Sequence, residues 1–205
     1  MKKKIFKEES KYDSNIIRNN RYWKIIFKDA IAKELGFENL VIVTTRKKRT
    51  GEIAGIDKEF VSNEEFEEKV KTSEITANFE FLGAKYGYRK ELLESDKNLV
   101  TEVHYNRIYD IKRHARNIFS IYIIPYDVKR AKKELKNRNL SKDAEEARLQ
   151  EIDEHIKEYS QNEDLRKQFD YEFINDYTEG SKNKLIEIIK QEALKRNSKV
   201  TVDII

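Results

Sequence analysis

The sequence predicts an α/β fold of three layers, in which a parallel sheet is covered by helices on both faces. Strand-length apolar segments alternate four times with amphipathic helical segments, an order typical of parallel strands joined by helical crossovers. One segment, Ile118–Ile124, is almost continuously apolar and stops at Pro125, the only proline. Such a run indicates a strand that is buried on both of its faces.

The first half of the chain opens with a predicted helix, Trp23–Leu35, because apolar residues recur there at helical spacing and Gly36 is a natural end. A strand is predicted shortly after it, at Leu40–Thr44. Ser62 and Glu65 then form a capping box, which predicts the start of an acidic helix.

The remaining elements follow from the same patterns. The predicted strands are Ile75–Leu82, Asn98–His104 and Tyr171–Ile174, and the predicted helices are Lys90–Ser95, Arg107–Arg116, Val128–Asn137, Asp143–Tyr159 and Lys182–Arg196. Residues 200–205 alternate between apolar and polar side chains, which predicts a late strand at the edge of the sheet. Residues 1–22 are polar and irregular.

Composition limits the classes of function. A chain of 205 residues with 38% apolar and 39% charged residues predicts one domain with a highly charged surface. The absence of cysteine excludes disulfides, thiolate zinc sites and cysteine nucleophiles. No apolar run follows the basic start as it would in a signal peptide, and none is long enough to span a membrane. We therefore expect a cytoplasmic protein that does not enter membranes.

A basic cluster, Arg46–Arg49, directly follows the predicted strand in VTTRKKRTGE, residues 43–52. One interpretation is a solvated loop, since strands often end in charged residues. The other is an anion clamp, because two arginines near the end of a strand can converge on one phosphate. In parallel sheets ligands bind beyond the carboxyl ends of the strands, and this position favours the clamp.

Nucleic acid is the least favoured ligand. The net charge of +4 is a small difference between 42 basic and 38 acidic residues, so it indicates no dedicated DNA-binding protein. The two short basic runs, residues 46–49 and 112–116, have no accompanying pattern of stacking aromatic residues.

Several segments together resemble the guanylate kinase family. They are TTRKKRTGEIAGIDKEFVSNEEFEE at 44–68, GAKYGY at 83–88, the strand at 118–125, the helix pair around Arg138 and Arg148, and YEFIND at 171–176. The resemblance covers residues 24–190. It implies a P-loop NTPase-type topology in one domain, 1–205, with a divergent segment at 1–22, a small mixed β/α monophosphate-binding subdomain at 45–90 and a helical lid at 138–160.

The resemblance implies an acceptor-phosphate clamp. The positions that hold the phosphate of the acceptor nucleotide in this family are Arg46, Arg49 and Tyr86 here. Lys58 replaces a family tyrosine and preserves a hydrogen-bond donor to phosphate. Guanidinium groups and a phenolic hydroxyl suit a phosphate monoester.

The donor side departs from the family. The phosphate-binding loop G-x-x-x-x-G-K-[ST] is expected before the first helix, yet the first glycine is Gly36, after that helix. Lys24 takes the position of the loop lysine and is followed by Ile25 and Ile26, so the hydroxyl that meets magnesium is missing. The resemblance assigns Arg138 and Arg148 to the ATP side, and it leaves Glu102 as a candidate to hold magnesium through water.

The guanine-reading positions have changed as well. The serine and the glutamate that the family places there are Ile42 and Ala77. Neither side chain accepts a hydrogen bond, so the sequence predicts no recognition of guanine.

Two functions are compatible with this pattern. The favoured one is a non-catalytic, pseudokinase-type module that binds a phosphorylated small molecule or a phosphopeptide, as the guanylate-kinase-like domains of membrane-associated scaffold proteins do. The alternative is an active nucleotide or sugar-phosphate kinase with altered specificity, similar to the branch that phosphorylates ribose bisphosphate. That alternative requires ATP and Mg²⁺ as cofactors. The resemblance also leaves self-association open.

Overall fold

The structure is a computed structural model that describes residues 20–49, 51–81, 83–103, 105–115, 117–129, 132–133, 142–196 and 199–204. For residues 20–25, 106, 144 and 148 it describes the backbone only. The strands are β1 (Glu38–Asn39), β2 (Ile42–Thr44), β3 (Lys58–Phe60), β4 (Ile75–Phe81), β5 (Ala84–Arg89), β6 (Leu99–Thr101), β7 (Ile118–Pro125), β8 (Tyr171–Asn175) and β9 (Thr201–Ile204).

The helices are α1 (Asn20–Leu35), α2 (Asn63–Lys71), α3 (Lys90–Leu93), α4 (Ile108–His114), α5 (Lys142–Gln161), α6 (Glu163–Arg166) and α7 (Glu179–Arg196). A single 3₁₀ turn, Tyr105–Arg107, leads into α4. None of the helices within the described ranges combines the length and the apolar character that a membrane crossing requires.

Five parallel strands form the main sheet in the order β1-β6-β9-β7-β8. On one face, Phe27 of α1 and Leu185 of α7 share a buried cluster with Val202 of β9. On the other face, Ile111 of α4 and Tyr159 of α5 belong to a second buried cluster that includes side chains of β6 and β7. The predicted arrangement, a parallel sheet between two layers of helices, is confirmed.

A second, smaller sheet has the order β3-β2-β5-β4. Strand β2 is parallel to β3 and antiparallel to β5, which is antiparallel to β4. The strand predicted at Leu40–Thr44 therefore begins later, at Ile42, and lies in this mixed sheet rather than in the parallel one. The reason is that β1 already pairs with β6, and the chain leaves the main sheet after the Leu40 N–H donates to the Val100 carbonyl (2.9 Å).

The late strand predicted at the sheet edge lies in the interior instead. Strand β9 pairs with β6 on one side and with β7 on the other, so that Thr201 is aligned with both Leu99 and Ile118. All four of its residues are buried. The alternation of apolar and polar residues predicts an edge strand, but here the polar residues are buried too. A carboxylate oxygen of Asp203 accepts the Val103 N–H (3.0 Å).

Most other predicted elements are found within a few residues of their predicted ends. The predicted capping box at α2 is confirmed in both directions: the Ser62 hydroxyl accepts the Glu65 N–H (3.1 Å) and the Glu65 carboxylate accepts the Ser62 N–H (2.8 Å). Of the helix predicted at Val128–Asn137, residues 128–129 and 132–133 are helical. Its other residues lie outside the described ranges, as does His104.

A carboxylate on β8 connects the sheet to α5 and α6. The Arg166 Nε donates to a Glu172 carboxylate oxygen (3.0 Å), and the Tyr159 hydroxyl donates to the same oxygen (2.9 Å). The Arg166 guanidinium is the main cause that lowers the pKa of Glu172, although partial burial opposes it. Burial and the adjacent Glu172 charge raise the pKa of Tyr159.

We predict that Glu172→Gln lowers the free energy of unfolding at neutral pH, and that this loss shrinks in acid. Because the folded pKa of Glu172 is depressed below its ordinary value of 4.5, the ionised carboxylate stabilises the fold above that pH and stops doing so as pH falls through the lower folded value. Urea unfolding at about pH 7 and about pH 3 measures both. As a control, Glu163→Gln removes a largely exposed i,i+4 pair with Lys167 and should change little at either pH.

Candidate functional site

The exit of β2 is held by a buried threonine. The Thr44 hydroxyl donates to the Lys85 carbonyl (2.9 Å) and accepts the Arg46 backbone N–H (3.2 Å). Thr44 is fully buried and pairs with Tyr86 on β5 and with Phe60 on β3. Paired residues in a sheet project to the same face, so Tyr86 and Phe60 flank the start of the basic cluster.

Arg46 is held in place rather than solvated. Its Nη2 donates to a Glu52 carboxylate oxygen (2.7 Å), its Nη1 donates to the Lys47 carbonyl (2.7 Å), and its guanidinium lies 5.6 Å from the centre of the Phe60 ring. Only 14% of the side chain is exposed. By contrast, Lys47 and Lys48 are exposed.

Glu52 organises the whole basic loop. Its second carboxylate oxygen accepts the Arg49 backbone N–H (2.7 Å), and the Glu52 N–H donates to the Arg49 carbonyl (3.2 Å). One carboxylate therefore fixes both the guanidinium of Arg46 and the backbone at Arg49. The sequence interpretation missed this residue, although the Gly-Glu pair that ends the motif was its signal.

A bulge in β4 places an aromatic ring next to Tyr86. The β4–β5 register shifts between Thr76 and Phe79, and Ala77 adopts a positive φ of 47° inside the bulge. The extra residue puts Phe79 opposite Tyr86, and the two rings stack with centroids 5.3 Å apart and planes 13° apart. Packing against Phe79 thus limits the orientations that Tyr86 can take.

Lys58 lies on the same face of the small sheet. It pairs with Ile42, two positions before Thr44 on β2, and is partly buried. Arg46 and Tyr86 therefore lie at the carboxyl end of β2, whereas Lys58 lies beside the first residue of that strand. Arg49 lies in the loop beyond it, with an exposed side chain.

The positions that correspond to guanine-reading residues are apolar and closed. Ile42 and Ala77 are 8% and 5% exposed, and they share a buried cluster with Tyr88 and Leu40. Tyr88 pairs with Ile42 across the sheet. Burial raises the pKa of the Tyr88 hydroxyl well above its ordinary value, and the negative charge of Asp203 adds to the shift, so this hydroxyl stays neutral.

The structure describes only part of the set of residues predicted for the ATP side. Lys24 lies in α1 and Arg148 in α5, and only their backbone is described. Arg138 falls outside the described residues. Glu102 follows β6 and is partly exposed, but no group of three His, Asp or Glu residues capable of holding a metal occurs within the described ranges.

An interior strand that packs against α1 comes from the other end of the sequence. In P-loop proteins the phosphate-binding loop joins one strand directly to the next helix. Here two residues separate the end of α1 from the start of β1, so the first turn of α1 lies at the carboxyl edge of the main sheet. The interior strand whose Val202 packs with Phe27 of α1 is β9. Strand and helix adjoin in space, yet they are not consecutive in the chain.

Comparison with known proteins identifies the family. The family model described as guanylate kinase matches residues 24–192. Guanylate kinases of Mesoplasma florum and Mycoplasmoides gallisepticum are each 30% identical to the chain, over 78% and 77% of its length. The chain spans 53% of the first protein and 77% of the second. A crystal structure of guanylate kinase from Anaplasma phagocytophilum shares the fold, with a TM-score of 0.57 at 23% identity over 80% of each chain. The chain therefore belongs to the guanylate kinase family.

Proposed function

We propose that this protein is a non-catalytic member of the family that binds a phosphorylated ligand at the end of β2, through Arg46, Arg49 and Tyr86 with assistance from Lys58. The observation that carries the proposal is the fixed position of Arg46. Its guanidinium is held by the Glu52 carboxylate at 2.7 Å, beside the face of the sheet that presents Tyr86. A preorganised guanidinium loses less conformational entropy when it binds phosphate.

The donor side supports binding rather than transfer. Phosphoryl transfer depends on a loop that cradles the donor phosphates and on a metal that bridges them. No glycine precedes α1, and Lys24 is followed by two isoleucines instead of a hydroxyl residue. A chain that retains the acceptor clamp without these groups is better suited to hold a phosphate than to transfer one.

The ligand is proposed to lack a recognised purine. A site that specifies guanine needs acceptors for its N–H groups. Ile42 and Ala77 are buried in an apolar cluster with the ring of Tyr88, so they offer no such acceptor. A phosphorylated small molecule or a phosphopeptide fits these surroundings better than a guanine nucleotide.

An active kinase of altered specificity is the second candidate. It is favoured by the family match, which runs from residue 24 to residue 192 and so includes the acceptor loop and most of α7. It is also favoured by Glu102, a carboxylate placed directly after β6. In this candidate a partner supplies the missing donor groups.

The decisive experiment is calorimetric titration with phosphate monoesters and with Mg·ATP. We expect Arg46→Ala to weaken phosphate-monoester binding about ten- to hundredfold, as expected for the loss of a charge-assisted hydrogen bond. Lys47→Ala, an exposed neighbour in the same loop, should change binding less than about twofold.

Two further outcomes separate the candidates. Arg46→Lys keeps the positive charge but lacks the planar guanidinium fork. Its affinity for phosphate monoesters should therefore lie between those of Arg46→Ala and the wild type. Equal binding of all monoesters by wild type and Arg46→Ala would show that Arg46 is not a phosphate ligand. Saturable Mg·ATP binding followed by phosphate transfer would establish the kinase candidate instead.

A further inference from the structure

Arg107 lies against the aromatic ring that stacks on Tyr86 of the proposed clamp. It ends the 3₁₀ turn that follows β6 and lies at the start of α4. Its guanidinium carbon lies 5.4 Å from the centre of the Phe79 ring. Because Phe79 also stacks on Tyr86, one aromatic ring connects this arginine to the clamp tyrosine.

The hydrogen-bonding capacity of Arg107 is largely unused within the described part of the chain. Its Nε is buried and has no acceptor among the described residues. The ion pair of its Nη1 with Asp110 is long, at 3.6 Å, and 36% and 37% of the two side chains are exposed. A guanidinium offers five N–H donors in a planar fork, and the four on the Nη atoms belong to a side chain that is partly exposed, so a ligand can reach them.

The N–H donors of Arg107 favour an anion as their ligand. Phe79 lies against the guanidinium, and Phe79 in turn packs against the buried cluster that contains the apolar residues Ile42 and Ala77. Asp110 is a weak competitor, since an exposed pair at this distance contributes little. A carboxylate or phosphate of a ligand would form shorter, charge-assisted hydrogen bonds with the fork.

We infer that Arg107 binds a second anionic group of the ligand. This inference rests on the proposed phosphate clamp: Arg46, Arg49 and Tyr86 hold the phosphate ester, and Arg107 holds a carboxylate or a second phosphate beyond Phe79. Since a single ring separates Tyr86 from Arg107, both anionic groups belong to one small molecule. The ligand class is thus a small organic phosphate with a second negative charge.

The test uses two probes that differ only in that charge. In 3-phosphoglycerate a carboxylate replaces the hydroxymethyl group of glycerol 3-phosphate. We expect calorimetry to show that the wild type binds 3-phosphoglycerate at least about tenfold more tightly. Ribose 1,5-bisphosphate compared with ribose 5-phosphate then distinguishes a second phosphate from a carboxylate as the preferred group.

Variants separate this inference from the proposed function. Arg107→Gln should remove the preference for the dianionic probe while leaving glycerol 3-phosphate binding within about twofold, and Arg107→Lys should restore part of it. Asp110→Asn should strengthen 3-phosphoglycerate binding slightly. A preference that survives in Arg107→Gln, or that is absent in the wild type, overturns the role of Arg107. If Arg46→Ala binds both probes as tightly as the wild type does, the proposed clamp is overturned, and this inference with it.

Discussion

Replacing Ile204 by alanine is expected to lower the free energy of unfolding by about 2–5 kcal/mol. Ile204 is fully buried on β9 and packs in the same cluster as Phe27 of α1 and Leu185 of α7. Truncating Ile204 leaves a cavity between the sheet and the helices α1 and α7. The two helices contact each other, so neither can move inward alone to fill the cavity. Urea unfolding followed by circular dichroism measures the loss.

An isoleucine on the neighbouring edge strand provides the control for this prediction. Ile174 lies on β8 of the same sheet but is 59% exposed. The substitution Ile174→Ala removes the same atoms from a sheet position that is already hydrated, so it should change stability by less than about 0.5 kcal/mol. Similar losses for the two variants would contradict the interior position of β9.

Gly87→Ala is expected to destabilise the small sheet by about 1–3 kcal/mol or more and to weaken phosphate binding. A Cβ on Gly87 would lie 2.4 Å from the Ile75 Cγ2 and 3.3 Å from the Phe66 Cζ. Both side chains are buried between α2 and the sheet, so β5 must shift to relieve the overlap. Because the shift begins next to Tyr86, calorimetry with a phosphate monoester should show the loss as clearly as thermal unfolding does.

The matched control is a glycine with space around it. Gly180 lies in the first turn of α7, where a Cβ would meet only the Thr178 Oγ1 at an ordinary 3.5 Å. Gly180→Ala should therefore stabilise the protein by about 0.4–1 kcal/mol, because alanine favours the helix and restricts the unfolded chain. A neutral or stabilising effect of Gly87→Ala would contradict the close packing of Ile75 and Phe66 around β5.

Local patterns were sufficient to predict the elements of the fold but not how two of the strands pair. The apolar run at 118–124 was sufficient to predict β7, because a continuously apolar segment of this length is typical of a strand that is buried on both faces. The alternation at 200–205 did not reveal where β9 lies, since alternation normally marks a strand with one exposed face. Here the polar face is buried as well, and the partner of Asp203 is the backbone of Val103, which no local pattern can indicate.

The sequence was sufficient to predict the charged residues of the candidate site, but not the residues that hold them in place. The TTR-x-x-R pattern and the YG turn were sufficient to select Arg46 and Tyr86. The contact of Arg46 with Glu52 depends on how the loop closes, and the contact of Tyr86 with Phe79 depends on a bulge that shifts the β4 register. Arg107 was unassigned because its neighbour in space, Phe79, is distant in sequence.

The interior position of β9 has a consequence for synthesis of the chain. Strands β6 and β7 are synthesised before β9, the strand that lies between them in the sheet. The Val103 N–H likewise gains its Asp203 acceptor only when the chain has grown by another 100 residues. Until residues 201–204 emerge, both strands present unpaired inner edges, which other chains can pair with. Closure of the main sheet therefore follows the synthesis of β9, and until then the inner edges of β6 and β7 are places where the nascent chain can aggregate.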